Sequence, residues 1–248
     1  IDCGIYQIAI ITNKESLDSY KVFFGDGSKL GIEIEYITQE DPNGLPEAYI
    51  LAEDFLDGSS SLMMLGDNLI YNPDLGNYLY NNLKELKSAI FTLPVSNPND
   101  FGIIELDNNK KILSIEEKPK DPKSNLAIIG LYYFDENASK FSKSLMPSKR
   151  SELEITDLMK VYLNNDELSN IDLGKNSTWF DTGTPQRLLE ASNFISTIQS
   201  RSGSIYGSPE ISAFNKKLID AENLIEQFAN ENGFYAKSIM KELDISKG

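Results

Sequence analysis

The chain has 248 residues, 40% of them hydrophobic and 25% charged, with a net charge of −15 and no histidine. That is enough for one large core, but no apolar run approaches the roughly 20 residues of a membrane-spanning helix, and no basic patch offsets the charge for nucleic acid. The missing histidine excludes Ser-His-Asp and Cys-His triads and His-ligated zinc, which leaves hard cations such as Mg2+ on oxygen ligands, and the single cysteine, Cys3, excludes an intrachain disulfide and fits a reducing, cytoplasmic setting.

Taken in order, Tyr6 to Thr12 is a continuous apolar run of strand length. Asn13 or Ser16 can cap a following helix, where Leu17, Tyr20 and Phe24 share a face and Gly25-Asp26-Gly27 ends it. Residues 31–38 alternate as a strand, and 44–55 read as a helix with Pro46 in its first turn. Ser61 to Leu65 is a buried strand ending in Gly66-Asp67-Asn68; a helix (74–86) and a strand (88–94) follow. Strands alternating with helices predict a mostly parallel sheet, whose ligands sit at the carboxyl ends of its strands. Asp67 is at such an end.

The pattern then changes. Residues 101–106 and 111–117 flank Asp107-Asn108-Asn109-Lys110, which is hairpin turn chemistry. Residues 125–134 form a further strand, 151–163 a helix with Glu152 and Glu154 in its first turn, and 176–180 a short strand ending at Asp181. Helical stripes fill the remainder, as core or subunit-packing faces. The Gly/Ser-rich stretch Ser200 to Pro209 divides an α/β body (1–199) from a helical extension (200–248).

Four segments could carry chemistry. Asp67 follows Gly66 at a strand end, and Asp181 in Trp179-Phe180-Asp181-Thr182-Gly183-Thr184 repeats that arrangement. Alone, each reads more readily as a turn former or cap. Together, in a chain without histidine, they suggest an oxygen-ligated metal at a phosphate. Glu117 and Lys118 end a strand before Pro119. They read either as a solvated charged strand end, on opposite faces, or as a carboxylate for sugar hydroxyls beside an ammonium for a phosphate. Gln39 follows a strand and could pair with a base edge, with Gly44 permitting close backbone approach; the plainer reading is a loop and a helix cap.

In this order the segments resemble the glucose-1-phosphate thymidylyltransferases among the sugar nucleotidyltransferases. The resemblance runs through FFGDGSKLGIEIEY, Gln39 with NGLPEAYI, LGDN, FGIIELD, SIEEKPKDPKSN, GLYYFD, ELEITDL, WFDTGT and LLEASNFISTIQSR. It implies an α/β fold: a Rossmann-like, mostly parallel mixed sheet flanked by helices, with a β-hairpin sugar-binding part and C-terminal helices. It implies nucleotidyl transfer from dTTP (or UTP) to glucose 1-phosphate, giving dTDP-glucose and pyrophosphate, by in-line attack with Mg2+ held by Asp67 and Asp181. Gln39, Gly44 and Leu45 would contact the base. Gly102, Glu117, Lys118, Ile128 and Trp179 would hold the sugar phosphate, and a homotetramer is expected.

The sequence departs from the family at Phe101, where Tyr is common, and at Ile129, where Thr is usual; both are expected near the sugar. The resemblance also implies an opening strand, a Gly-rich loop ending in Thr-Arg-Leu and a further Lys that cradle the triphosphate, a segment expected to belong upstream of Ile1 and absent from residues 1–248. An unfilled central sheet position is therefore expected. The competing reading is a catalytically inactive fragment or a non-catalytic binding subunit of the same fold.

Overall fold

The computed structural model describes residues 1–245; the last three residues of the expected 200–248 extension lie outside it. The core is built on β8 (Leu126–Phe134), a nine-residue strand with partners on both edges. One edge carries β5 (Ser88–Pro94), antiparallel, and β5 in turn carries β9 (Leu168–Asp172), parallel. The other edge is shared. The hairpin of β6 (Gly102–Leu106) and β7 (Ile112–Glu117) meets it at Ala127, and β3 (Ser61–Met64) meets it at Leu131 to Phe134. Between those two contacts, Ile128 to Gly130 lie at a fork in the sheet.

Both faces of this sheet are covered, which is why β5 and β8 are buried and mainly apolar rather than alternating. Ile90, Ile128, Tyr132 and Phe134 face one cluster, closed by Leu158, Met159 and Tyr162 of α6 (Ile155–Asn164) and Tyr49 of α2 (Glu47–Leu51). Ala89, Phe91, Ile129, Leu131 and Tyr133 face the other, closed by Leu79 of α4 (Leu75–Asn82) and by Ile70 and Trp179. Those last two belong to a two-stranded antiparallel ribbon, β4 (Asn68–Tyr71) with β10 (Thr178–Asp181).

β1 (Gln7–Thr12) and β2 (Glu33–Thr38) pair in parallel as a separate two-stranded sheet, joined by α1 (Lys14–Phe24). The central sheet is mixed, with a parallel ladder at β5–β9 and antiparallel ladders at β3–β8, β5–β8, β6–β8 and β6–β7. Among the described residues β1 pairs with β2 alone and β3 with β8 alone, and both line a cleft of about 1270 Å³.

Several boundaries differ from the sequence reading. The helix expected at 44–55 is two short pieces, α2 and α3 (Glu53–Leu56), broken at Ala52. The helix expected at 151–163 starts only at Ile155, because Ser151 takes a φ of +61°, so Glu152 and Glu154 precede the first turn. A further helix, α5 (Ala138–Lys143), and the strands β4 and β9 were not expected. The apolar stripe of α1 buries no residue, since a two-stranded sheet offers it little core to cover. α7 (Pro185–Ser202) runs past residue 199, and the break comes at Gly203. Beyond it, α8 (Pro209–Asn215), α9 (Ala221–Phe228) and α10 (Phe234–Ile245) enclose a cluster of their own around Leu224 and Ile239.

Candidate functional site

The fork in the sheet opens a pocket of about 220 Å³. Asp67, Gly102, Glu117, Lys118, Ile128, Trp179 and Asp181 all line it, so the residues expected to bind metal and sugar phosphate share one cavity. Gln39 and Gly44 line the larger cleft instead. Leu45, Leu65, Glu117 and Ile155 border both spaces, which makes the two cavities contiguous.

The carboxylate pair is assembled by the ribbon. Asn68 stands opposite Asp181 in the β4–β10 register, so the residue before Asn68 falls beside the end of β10. The Asp67 carbonyl accepts from both the Thr182 amide and its Oγ1, each at 2.7 Å. A side chain on Gly183 would begin 3.1 Å from Asp181 Oδ1 and 3.4 Å from Asp67 Oδ2. The two carboxylates thus converge on a space that a Cβ would intrude upon, and glycine keeps it open. Among the described residues no cluster of three or more His, Cys, Asp or Glu is arranged for a metal. A hard cation in this cradle would take two protein carboxylates and draw its remaining oxygens from phosphate and water, which suits Mg2+.

Asn68 ties the pair to the sheet. Its Oδ1 accepts from Trp179 Nε1 at 2.6 Å and from the Gly130 amide at 3.1 Å, and its Nδ2 donates to Asp67 Oδ1 at 2.7 Å. A Cβ on Gly130 would lie 2.6 Å from the Asn68 carboxamide, so Gly130 is what lets Asn68 into the fork.

Glu117 and Lys118 come from the end of β7. An alternating strand would send them to opposite faces. Lys118 instead takes a φ of +43°, and its amide donates to the Phe101 carbonyl at 3.0 Å, so both residues line the pocket. Gly102 pairs with Glu117 and leaves room for it: a Cβ there would sit 3.2 Å from Glu117 Oε2. Burial raises the Glu117 carboxyl above the usual range, against the pull of Lys118, although its outer side stays exposed. Burial, followed by the charges of Glu117 and Asp67, also pushes the Tyr132 phenol up, so it stays a neutral hydroxyl in the pocket wall.

The raised Glu117 pKa has a testable sign. A carboxyl that binds protons more tightly folded than unfolded costs stability once pH rises above its ordinary value of 4.5, and that cost vanishes as pH falls below it. Glu117→Gln is expected to melt above the parent at pH 7, with the gap closing near pH 4. Thermal melts across that range check it, and a variant less stable than the parent at pH 7 contradicts the assignment.

The base-side residues are held differently. Gln39 Nε2 donates to Glu47 Oε2 at 2.5 Å and to the Gly44 carbonyl at 3.4 Å. Gly44 adopts a φ of +104° and packs directly against the backbone of Leu153.

Three features were missed in the sequence. Asn68 was read only as part of its motif. Arg150 makes a two-point contact with Glu154 (2.7 and 3.2 Å) at the cleft rim, and its charge reaches Glu117. Arg187 bonds Asp181 Oδ2 at 2.7 Å. Its position at the third residue of a helix was the available signal, because a cation there opposes the helix dipole and needs an anionic partner. Phe101, noted for its missing hydroxyl, packs edge-on to Trp179 at 4.9 Å, with the Arg187 guanidinium 5.8 Å from its ring centre. Ile129, expected near the sugar, is instead fully buried on the opposite face, because its neighbours Ile128 and Gly130 take the pocket side of β8.

A pocket at the fork of a mixed α/β sheet, with paired carboxylates on one wall and a Glu-Lys pair on another, is the architecture of a nucleotidyltransferase. The nucleotidyl transferase family model matches residues 1–198, and the chain belongs to that family, within its glucose-1-phosphate thymidylyltransferase branch. It is 40% identical over 243 residues to the glucose-1-phosphate thymidylyltransferase of Xanthomonas campestris pv. campestris (strain B100), covering 96% of this chain and 82% of that one. The same enzyme from Mycolicibacterium smegmatis is 38% identical over 90% of this chain and 78% of its own length. A Bacillus anthracis protein assigned to that enzyme and crystallised with sucrose superposes with a TM-score of 0.70 at 33% identity, over 77% of both chains. A UDP-glucose pyrophosphorylase crystallised with UDP-glucose superposes at 0.67 over 79% of this chain and 82% of its own, and at 23% identity it speaks to the fold alone. The chain is thus an enzyme of nucleotidyl transfer. No helix among the described residues is long and apolar enough to cross a membrane.

Proposed function

We propose that the reaction is transfer of the thymidylyl group from dTTP to glucose 1-phosphate, releasing pyrophosphate, with Mg2+ at Asp67 and Asp181. The observation that carries this reading is the convergence of both carboxylates on the space beside Gly183, in the same pocket as Glu117 and Lys118. Glu117 accepts hydrogen bonds from sugar hydroxyls, and Lys118 neutralises and orients the sugar phosphate. A phosphate oxygen of the sugar attacks the α-phosphorus of the nucleotide, and the bond to the leaving pyrophosphate breaks in line. The sugar phosphate is already an anionic nucleophile, so no general base is required, in keeping with a chain that has no histidine. The protein's contribution is position and charge. A divalent cation in the cradle would supply neutralisation of the phosphate charge that builds during transfer. Gln39, Gly44 and Leu45 border the adjoining cleft, where the base is read.

Pyrophosphate release measured with glucose 1-phosphate and either dTTP or UTP tests this. The expected result is turnover abolished by EDTA, restored by Mg2+ and favouring dTTP. Preference for UTP removes the thymidylyl assignment, and turnover indifferent to EDTA removes the metal.

A further inference from the structure

Arg187 sits where a metal-binding carboxylate meets the sugar-side loop. Its Nη1 donates to Asp181 Oδ2 at 2.7 Å, its Nη2 lies 3.5 Å from Asp100 Oδ2, and its guanidinium faces the Phe101 ring. The other Asp181 oxygen, Oδ1, accepts from the Gly183 amide at 3.0 Å and faces the cradle shared with Asp67. The two oxygens of one carboxylate are therefore divided: one is held by the guanidinium, and one is presented to the cradle.

The position is electrostatically unusual. Thr184 caps α7 by accepting from the Arg187 amide, which puts Arg187 in the first turn, where the helix dipole disfavours a cation. What offsets this is Asp181 and Asp100. The same pairing eases the repulsion between Asp181 and Asp67, since like charges this close disfavour one another unless a cation intervenes.

We propose that Arg187 is a positioning residue that serves as the resident counter-cation of Asp181 and thereby restrains divalent-cation binding until the nucleotide's phosphates join the site. The inference rests on the metal reading above. A guanidinium on Oδ2 repels a cation arriving at Oδ1 and withdraws part of the charge that would hold it. The carboxylate pair alone is then a weak site, and phosphate oxygens are needed to complete a strong one. The contact with Asp100 and Phe101 places the same side chain beside the residues that precede Gly102, so Arg187 spans the metal and sugar sides of the pocket.

The probe is Mn2+, followed by electron paramagnetic resonance of the free ion, without nucleotide and with no turnover needed. Arg187→Gln keeps a donor near Asp181 and removes the charge; it is expected to bind Mn2+ on the order of tenfold more tightly than the parent. Arg187→Lys restores the charge and is expected to return the affinity to near the parent value, which a purely structural role would not do. Addition of dTTP is expected to shrink the gap between parent and Arg187→Gln. Unchanged or weaker Mn2+ binding by Arg187→Gln overturns the proposal. So does Arg187→Lys behaving like Arg187→Gln. Asp181→Asn separates this failure from failure of the metal reading: it should abolish nucleotide-free binding, and if it does not, the cradle is not the metal site and both fall.

Discussion

Asp67→Asn is expected to lower turnover by at least about a thousandfold while leaving the melting temperature nearly unchanged. The structural work at this position is done by the backbone: the Asp67 carbonyl accepts both Thr182 contacts that tie the two strand ends together. The side chain is exposed and receives one hydrogen bond, from Asn68 Nδ2. An amide of the same shape still offers an oxygen to that donor, so stability should shift by no more than about 0.5 kcal/mol. What disappears is one of the two charges facing the space beside Gly183. A charge that acts on phosphoryl oxygens in the transition state contributes several kcal/mol, and about 4 kcal/mol corresponds to roughly a thousandfold. Turnover within tenfold of the parent, in a variant with an unaltered melting curve, would remove Asp67 from the metal site.

Asp181→Asn should be less clean. Its carboxylate also pairs with Arg187 and accepts from the Gly183 amide, so the substitution weakens an ion pair as well as the cradle. Comparing the two variants therefore separates charge used in chemistry from charge used in holding the site. Similar activity losses with a larger stability loss at position 181 is the pattern the geometry requires.

The strand ends bearing Asp67 and Asp181 were legible because glycine and aspartate after a short apolar run mark the carboxyl edge of a strand. Their mutual approach was not legible from spacing. It depends on β4, four residues long and followed at once by Asn72-Pro73, which is too short for any periodicity to register. β4 exists because β10 pairs with it. Similarly, β9 has the sequence Leu-Ser-Asn-Ile-Asp and becomes a strand through its parallel pairing with β5. The placement of Glu117 and Lys118 turned on a lysine with positive φ, which propensity alone does not anticipate. For α1 the opposite held. Its pattern put Leu17, Tyr20 and Phe24 on one face, but burial is a property of the partner surface, and β1 and β2 supply a small one. The hairpin, by contrast, was fully local: Asp107 accepts from the amides of Asn109 and Lys111, and the turn sequence alone encodes those contacts.

Gly44→Ala is expected to damage both stability and nucleotide binding, because the loop that carries it has no room to give. A Cβ at Gly44 would sit 2.0 Å from the Leu153 carbonyl oxygen and 2.8 Å from the Leu153 amide nitrogen, which are backbone atoms that no rotamer change can move. The φ of +104° is in addition a conformation that a residue with a Cβ rarely adopts. Relief requires the loop to lift, which breaks the hydrogen bond from the Leu153 amide to the Asn43 carbonyl, 2.7 Å in the parent. Backbone strain and overpacking each cost about 1–3 kcal/mol and the lost hydrogen bond about 1 kcal/mol; partial relaxation leaves a net loss of roughly 3 kcal/mol. For a chain of this size that is a fall of roughly 6–12 °C in melting temperature. Lifting the loop also moves Leu45 away from the border between the two cavities and disturbs the contact of Gln39 with the Gly44 carbonyl. The nucleotide KM should therefore rise by on the order of tenfold, from about 1.4 kcal/mol of lost binding, with the KM for glucose 1-phosphate affected much less. Because Glu117, Lys118 and the carboxylate pair stand on β7 and the β4–β10 ribbon, kcat should fall less than nucleotide affinity does. A variant that melts within a degree of the parent, or that loses affinity for the sugar phosphate first, would show that the loop is not seated against Leu153 and does not form the nucleotide side of the pocket.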